Sequence, residues 1–194
     1  MELRVRWGRN TVNLSPRNLV RSAFLCAIAV VTTQLIRFGS AIVPFSLLPG
    51  IYVLGTLLFT PLENGFGWLI YVLLGLMGVP VFATPPYGGP SYILRPTFGF
   101  LLGYLFLSPL FSWIVQKRRK ASFYYILFLS FAAVSLPYVP GLIYLWVIMK
   151  FVVQAQISIG YTLKTGFFPF IGGDILKAIV VFLIVWKAKP LRGK

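Results

Sequence analysis

Apolar residues in this chain come in long runs broken by proline, glycine and clusters of basic side chains. Neither the strict alternation of a half-buried strand nor the one-sided stripe of a soluble helix describes them. The first run covers residues 19–36, behind a polar and basic segment at 1–18. It is longer than the apolar region of a usual signal peptide, and no small-x-small site closes it, so it reads as a membrane span with its start in the cytoplasm. A second, short run spans about 50–61 and stops at Pro61-Leu-Glu-Asn-Gly65, read as a turn. A third covers 66–82. The following Ala83-Thr-Pro-Pro-Tyr-Gly-Gly-Pro-Ser-Tyr92 holds too many turn formers for a helix. A fourth run begins near Pro96, which suits a first helical turn, and ends at Lys117. Residues 121–160 are apolar but interrupted by Pro137, Pro140 and Gly141, so two spans or one kinked span fit equally. The last run covers 168–186.

Charge chooses between these counts. Basic residues bunch beside the runs: Arg4, Arg6, Arg9, Arg17 and Arg21 at the start, Lys117-Arg118-Arg119-Lys120 in the middle, and Lys187, Lys189, Arg192 and Lys194 at the end. Such clusters mark cytoplasmic membrane edges and anionic head groups. An even number of crossings must then separate the middle cluster from the last. That makes 121–149 one kinked helix, and about 151–166 an external loop or re-entrant piece. The prediction is an all-α integral membrane protein: a bundle of six transmembrane helices with both termini cytoplasmic. It divides into a basic N-terminal segment at 1–18, a membrane domain at 19–187 and a basic tail at 188–194. Lys150 and Lys164 then lie outside, against the charge rule.

Composition agrees and excludes other classes. Of the 194 residues 58% are apolar and 11% charged, against about 25% charged in a soluble domain. Lys and Arg number 18 against 3 Asp and Glu, a formal net charge of +15 that sits at membrane edges rather than in a nucleic-acid signature. Histidine is absent and Cys26 is the lone cysteine. No internal disulfide, Ser-His-Asp triad, or His- or Cys-based metal site is available. With so few carboxylates, paired-carboxylate catalysis is nearly excluded, so no catalytic and no metal-binding residues are expected.

Asp174 is the chain's single aspartate, and it sits where the last helix begins. Lys177, three residues on, shares its helix face. An ionisable pair near the end of a membrane helix points to function. The alternative is structural: Asp174 as an N-cap and Lys177 snorkelling to the interface. Arg95 is a second candidate, with interfacial snorkelling as its alternative. Function gains if Arg95, Asp174 and Lys177 converge on one external cavity. Tyr87-Gly-Gly-Pro-Ser-Tyr92 suits an aromatic lid over an apolar ligand, or else an interfacial belt that also takes Tyr144 and Trp146. Gly88-Gly89 is too short for a phosphate loop. Ala23-x-x-x-Ala27 on the first span allows close helix approach, for a docking partner or for internal packing.

Gly75-Leu-Met-Gly-Val-Pro-Val-Phe82, Gly88-Gly89, Pro96-Thr-Phe-Gly-Phe100-Leu-Leu-Gly103 and Phe168-Pro-Phe-Ile-Gly-Gly-Asp-Ile-Leu-Lys177, in that order, resemble the BioY family. These are the biotin-specific substrate-capture (S) components of energy-coupling-factor (ECF) transporters. The resemblance runs from about residue 19 to 186. It implies biotin as transported ligand rather than cofactor, captured from outside by a protein that is not an enzyme. It implies a transmembrane coupling subunit and two cytoplasmic ABC ATPases as partners, in the cell membrane of a prokaryote. Asp174 and Lys177 match the family's polar ligand pair, with Arg95 as a third member. Tyr87, Tyr92, Phe45 and Tyr144 are the aromatic cover expected for the ring and tail. Ala23 and Ala27 match the spacing that docks the coupling subunit in related S components. One departure stands in the first external loop, Val43-Pro-Phe-Ser-Leu-Leu-Pro49: Ser46 stands for a usual Thr, and Leu48 for a usual Gln. An S component for another small vitamin, a small multi-pass membrane enzyme and a purely structural subunit are the competing readings.

Overall fold

The first apolar run becomes α1 (Pro16–Gly39), opened by a proline at a position where its missing N–H costs nothing. This computed structural model describes residues 3–7, 10–39, 46–118 and 122–188. After α1 come α2 (Leu48–Leu58), α3 (Pro61–Leu76), a loop with one 3-10 turn (Pro90–Leu94), and α4 (Phe98–Lys117). Then follow α5 (Phe123–Ser135), α6 (Tyr138–Val147) with a π turn (Ile148–Val152) behind it, α7 (Ile159–Gly166) and α8 (Phe168–Lys187). From Pro16 onward every regular element described is helical. Ahead of α1, β1 (Leu3–Trp7) and β2 (Asn10–Leu14) pair antiparallel, with Leu3 opposite Leu14. The reading of a plain basic segment at 1–18 missed this hairpin, although Leu3-Arg4-Val5-Arg6-Trp7 alternates apolar and basic as a strand does.

Four stretches are long and apolar enough to cross a membrane: Pro16–Leu35, Phe98–Lys117, Phe123–Val152 and Phe168–Lys187. The chain is a multi-pass membrane protein. The third of these is the run broken by prolines, and it is one bent unit as expected. Its bend falls at Pro137, between α5 and α6, where a helix loses a hydrogen bond. The helices α2 and α3 have 11 and 16 residues, about 16 and 24 Å at helical rise, short of a hydrocarbon core of about 30 Å.

Three boundaries differ from expectation. The third run, expected to reach 82, ends as a helix at Leu76, with Gly78 at φ 101 just beyond it. Pro61–Gly65 is the first turn of α3, not a loop. Thr60 Oγ1 accepts from the Glu63 N–H at 3.3 Å, and Glu63 Oε2 accepts from the Thr60 N–H at 2.9 Å. This reciprocal cap, with proline directly behind it, is a helix start. Within 151–166, α7 fills the second half, capped by Ser158, whose hydroxyl accepts from the Tyr161 N–H.

Contacts sort the helix ends into two groups. Arg21 on the second turn of α1 reaches Glu63 at the start of α3 at 3.3 Å. Gln116, near the end of α4, donates to the Phe59 carbonyl just past α2. Phe123, opening α5, packs edge-on against Phe182 and Trp186 near the end of α8. One end of the bundle therefore carries Arg17, Arg21, Lys117, Arg118 and Lys187. At the opposite end Gln34 and Arg37 of α1 donate to the Pro80 carbonyl, and Tyr144 of α6 donates to the Ile93 carbonyl. Arg119 and Lys120 lie outside the described residues, as does the tail from 189.

The helices α4 and α6 meet through glycine. A Cβ at Gly99 would lie 2.2 Å from Tyr144 Cβ, and one at Gly103 would lie 3.0 Å from the Pro137 carbonyl oxygen. Two glycines four apart let the backbones touch, as packing in lipid favours. This contact fixes α6, and with it Tyr138, against the rest of the bundle.

Candidate functional site

Asp174 is the seventh residue of α8. The helix starts at Phe168, so Asp174 lies more than a turn inside it and caps nothing; that structural alternative is overturned. Pro169 at the helix start explains the shift, because proline is favoured in a first turn. A buried carboxylate inside a membrane bundle must find partners or it costs several kcal/mol. Asp174 is 6% exposed and finds two. Lys177 Nζ donates to Oδ1 at 2.7 Å, the pairing expected for residues three apart. Tyr138 Oη donates to Oδ2 at 2.5 Å. Lys177 turns inward to this carboxylate, with 15% of its side chain exposed, and does not snorkel. Beside it, α2 comes close: a Cβ at Gly50 would lie 3.6 Å from Lys177 Cβ.

Around the pair the bundle is aromatic. Tyr104 of α4 lies within electrostatic reach of Asp174 and Tyr138. Its ring stacks on Tyr52 at 4.8 Å and leans on Trp68 at 5.0 Å. The series continues through Tyr71, Phe82, Tyr92 and Phe98 to Tyr144. Offset and edge-on ring contacts of this kind add about 0.5–1.5 kcal/mol per pair beyond burial. The result is one buried charged pair in a bundle whose interior is a packed series of aromatic rings; the pair itself can serve a ligand that offers an N–H donor and an anionic or carbonyl oxygen.

The loop over this end is ordered by specific ties. Phe82 lies directly on Gly75, where a Cβ would be 2.0 Å from its ring. Tyr87, at φ 67, sits under the Arg37 guanidinium at 3.4 Å. Tyr92 is buried, with its hydroxyl 3.0 Å from Thr84 Oγ1, so it belongs to the core rather than to a surface belt. Tyr144 is half-buried and holds the 3-10 turn through Ile93. Arg95 closes that turn and is exposed; among the described residues no hydrogen bond or ion pair joins its side chain to Asp174 or Lys177. It shares their half of the bundle, since Tyr144 lies six residues beyond Tyr138 on α6, about 9 Å along the axis.

Phe45 lies outside the described residues. Ser46 accepts from the Leu48 N–H at 3.2 Å, a local turn contact, and Leu48 is buried at the start of α2. Ala23 and Ala27 are exposed on α1, on the side that also carries Val20, Phe24 and Val31. The opposite side, with Ser22, Leu25, Cys26 and Ala29, is the buried one. Internal packing therefore does not account for the two alanines. No group of three or more His, Cys, Asp or Glu that could hold a metal occurs among the described residues.

Sequence reading missed Tyr138 and Tyr104. Tyr138 lies 36 residues from Asp174, and nothing in linear spacing joins them. The one local signal is that Tyr138 follows Pro137, where the long helix breaks.

Comparison with known proteins places these features in a family. The sequence model of the BioY family matches residues 8–194. A probable biotin transporter BioY from Lysinibacillus sphaericus is 27% identical over 172 residues, 88% of this chain and 85% of that one. The biotin transporter BioY of Thermotoga maritima is 30% identical over 176 residues, 90% of this chain and 97% of its own length. A crystal structure of the S-component for biotin from an ECF-type ABC transporter superposes with a TM-score of 0.73 at 25% identity, covering 89% of this chain and 90% of that one. These relatives are described as transporters or transporter components, not as enzymes. The chain belongs to the BioY family.

Proposed function

We propose that this protein is the biotin-capturing S component of an ECF transporter, taking biotin from the external side of a prokaryotic cell membrane. The observation that carries the reading is the buried Asp174–Lys177 pair, in a chain of this family. Biotin has a cyclic urea with two N–H donors and a carbonyl, a thioether ring, and an aliphatic tail ending in carboxylate. Asp174 accepts from a urea N–H. Lys177 and Arg95 supply the cations for the urea oxygen and the carboxylate. Tyr87, Tyr92, Phe45 and Tyr144 cover ring and tail.

Six crossings are formed by α1, α2, α3, α4, the bent α5–α6 unit and α8, with both termini cytoplasmic. The distribution of basic residues supports this orientation, because Arg17, Arg21, Lys117, Arg118 and Lys187 share one end. Asp174 and the 77–97 loop then face outside. The chain has no Walker motif, so uptake against a gradient requires partners: a transmembrane coupling subunit and two ABC ATPases. The exposed Ala23–Ala27 side of α1 is the docking face. Small residues there let a partner helix approach closely. Biotin is cargo, and no resident cofactor is involved.

Mass spectrometry of small molecules that co-purify with the detergent-solubilised protein tests the reading. Biotin is the expected ligand. Recovery of another vitamin, or failure of biotin to bind the purified protein, overturns it.

A further inference from the structure

Asp174 needs more than charge to recognise a ligand: its carboxylate plane must be held in one orientation. Lys177 sits on the same helix and holds Oδ1 through a flexible four-carbon chain. The stiff constraint comes from another element. Tyr138 holds Oδ2 at 2.5 Å. A carboxylate only accepts, so the phenol is the donor. Its ring is fixed edge-on between Phe100 of α4 and Phe167, with centroids 5.4 and 5.1 Å away. Tyr138 is buried and is the first residue of α6, directly behind Pro137, and α6 is pressed onto α4 through Gly99 and Gly103.

We infer that Tyr138 is a positioning residue for ligand recognition: it locks the Asp174 carboxylate so that the lone pairs left free by Lys177 and Tyr138 face the ligand N–H. Each carboxylate oxygen has about two acceptor sites, so one on each oxygen stays open after the two protein bonds. The bend at Pro137 thereby gains a purpose, since it brings a helix-terminal side chain to the second turn of α8. This inference rests on Asp174 being the ligand acceptor.

Because Asp174 is the only aspartate in the chain, cell-free synthesis with aspartate carrying 13C at the side-chain carboxyl gives a single reporter. In the wild-type protein, added biotin should shift that resonance. Without such a shift the ligand role of Asp174 fails, whatever Tyr138 does. In Tyr138→Phe, which keeps both ring contacts and loses only the hydroxyl, the ligand-free resonance should move and the biotin Kd should rise roughly 10-fold or more, as for loss of a charge-assisted hydrogen bond. Phe123→Leu, which loosens α5 against the far end of α8 and touches neither Tyr138 nor Asp174, serves as the control and should leave the ligand-free resonance in place. An unchanged resonance in Tyr138→Phe, an unchanged Kd, or a Kd loss equalled by Phe123→Leu overturns the inference while leaving the role of Asp174 intact.

Discussion

The deep cluster and the outer loop of this bundle are held together in opposite ways. Around Asp174 the bonds run from side chain to side chain, one within α8 and one across to α6, and each partner is specific. The 77–97 loop has the side-chain contacts Thr84–Tyr92 and Arg37–Tyr87, but the hydrogen bonds that reach it from α1 and α6 end on backbone carbonyls: Gln34 and Arg37 to Pro80, and Tyr144 to Ile93. A carbonyl is present whatever residue stands there, so these ties constrain the loop path but not its sequence. The cluster is suited to recognition, because changing any member changes the chemistry. Each such tie to the loop is worth about 1 kcal/mol, while Phe82 and Tyr92 anchor the loop in the core.

The largest effect on that contrast should come from Lys177→Met. It leaves Asp174 buried with Tyr138 as its remaining described partner, and breaking such a pair costs roughly 3–5 kcal/mol. Thermal unfolding in detergent should show a clear drop, with biotin binding lost; an unchanged midpoint would mean that the pair contributes no stability. Next comes Gly99→Leu, which forces α4 and α6 apart at a site where even a Cβ meets Tyr144 at 2.2 Å. Overpacking costs about 1–3 kcal/mol, and biotin affinity should fall with stability as Tyr138 moves. Wild-type affinity would detach the helix contact from the site. A smaller effect is expected of Tyr144→Phe, which removes one loop tie. Stopped-flow release of biotin should quicken by about fivefold with little change in unfolding, and an unaltered release rate would show that this tie does not gate the ligand. Ala23→Trp and Ala27→Trp should leave biotin affinity of the isolated subunit untouched while abolishing its complex with the coupling subunit. Co-purification of the intact complex with both substitutions present would remove the docking role.

The two regions also differ in how far the sequence discloses them. Apolar runs and basic clusters mark out α1, α4, the bent α5–α6 unit and α8, because a membrane helix must satisfy its backbone within itself and advertises this by composition. The start of α3 was hidden by a proline and a glycine that resemble a turn, although Thr60 and Glu63 carry a cap signature. Asp174 and Lys177 are legible because i, i+3 spacing puts them on one face. Tyr138 and Tyr104 are not, since their approach to Asp174 depends on how α4, α6 and α8 pack. The loop shows its turn formers plainly, but its ties end on carbonyls that no residue type marks. Arg95 is a different case: its sequence context suggests convergence with the pair, and the described structure leaves it exposed at the same half of the bundle.

Biotin titration of the purified, folded Asp174→Asn protein against wild type is the most direct test of Asp174 as the ligand acceptor. Asparagine keeps the shape, removes the charge and turns one acceptor into a donor. If Asp174 accepts from the urea N–H, loss of a buried charged contact should cost roughly 2–5 kcal/mol, a Kd increase of about 30-fold to several thousand-fold. Near-wild-type affinity in a variant that unfolds at the wild-type temperature would contradict it.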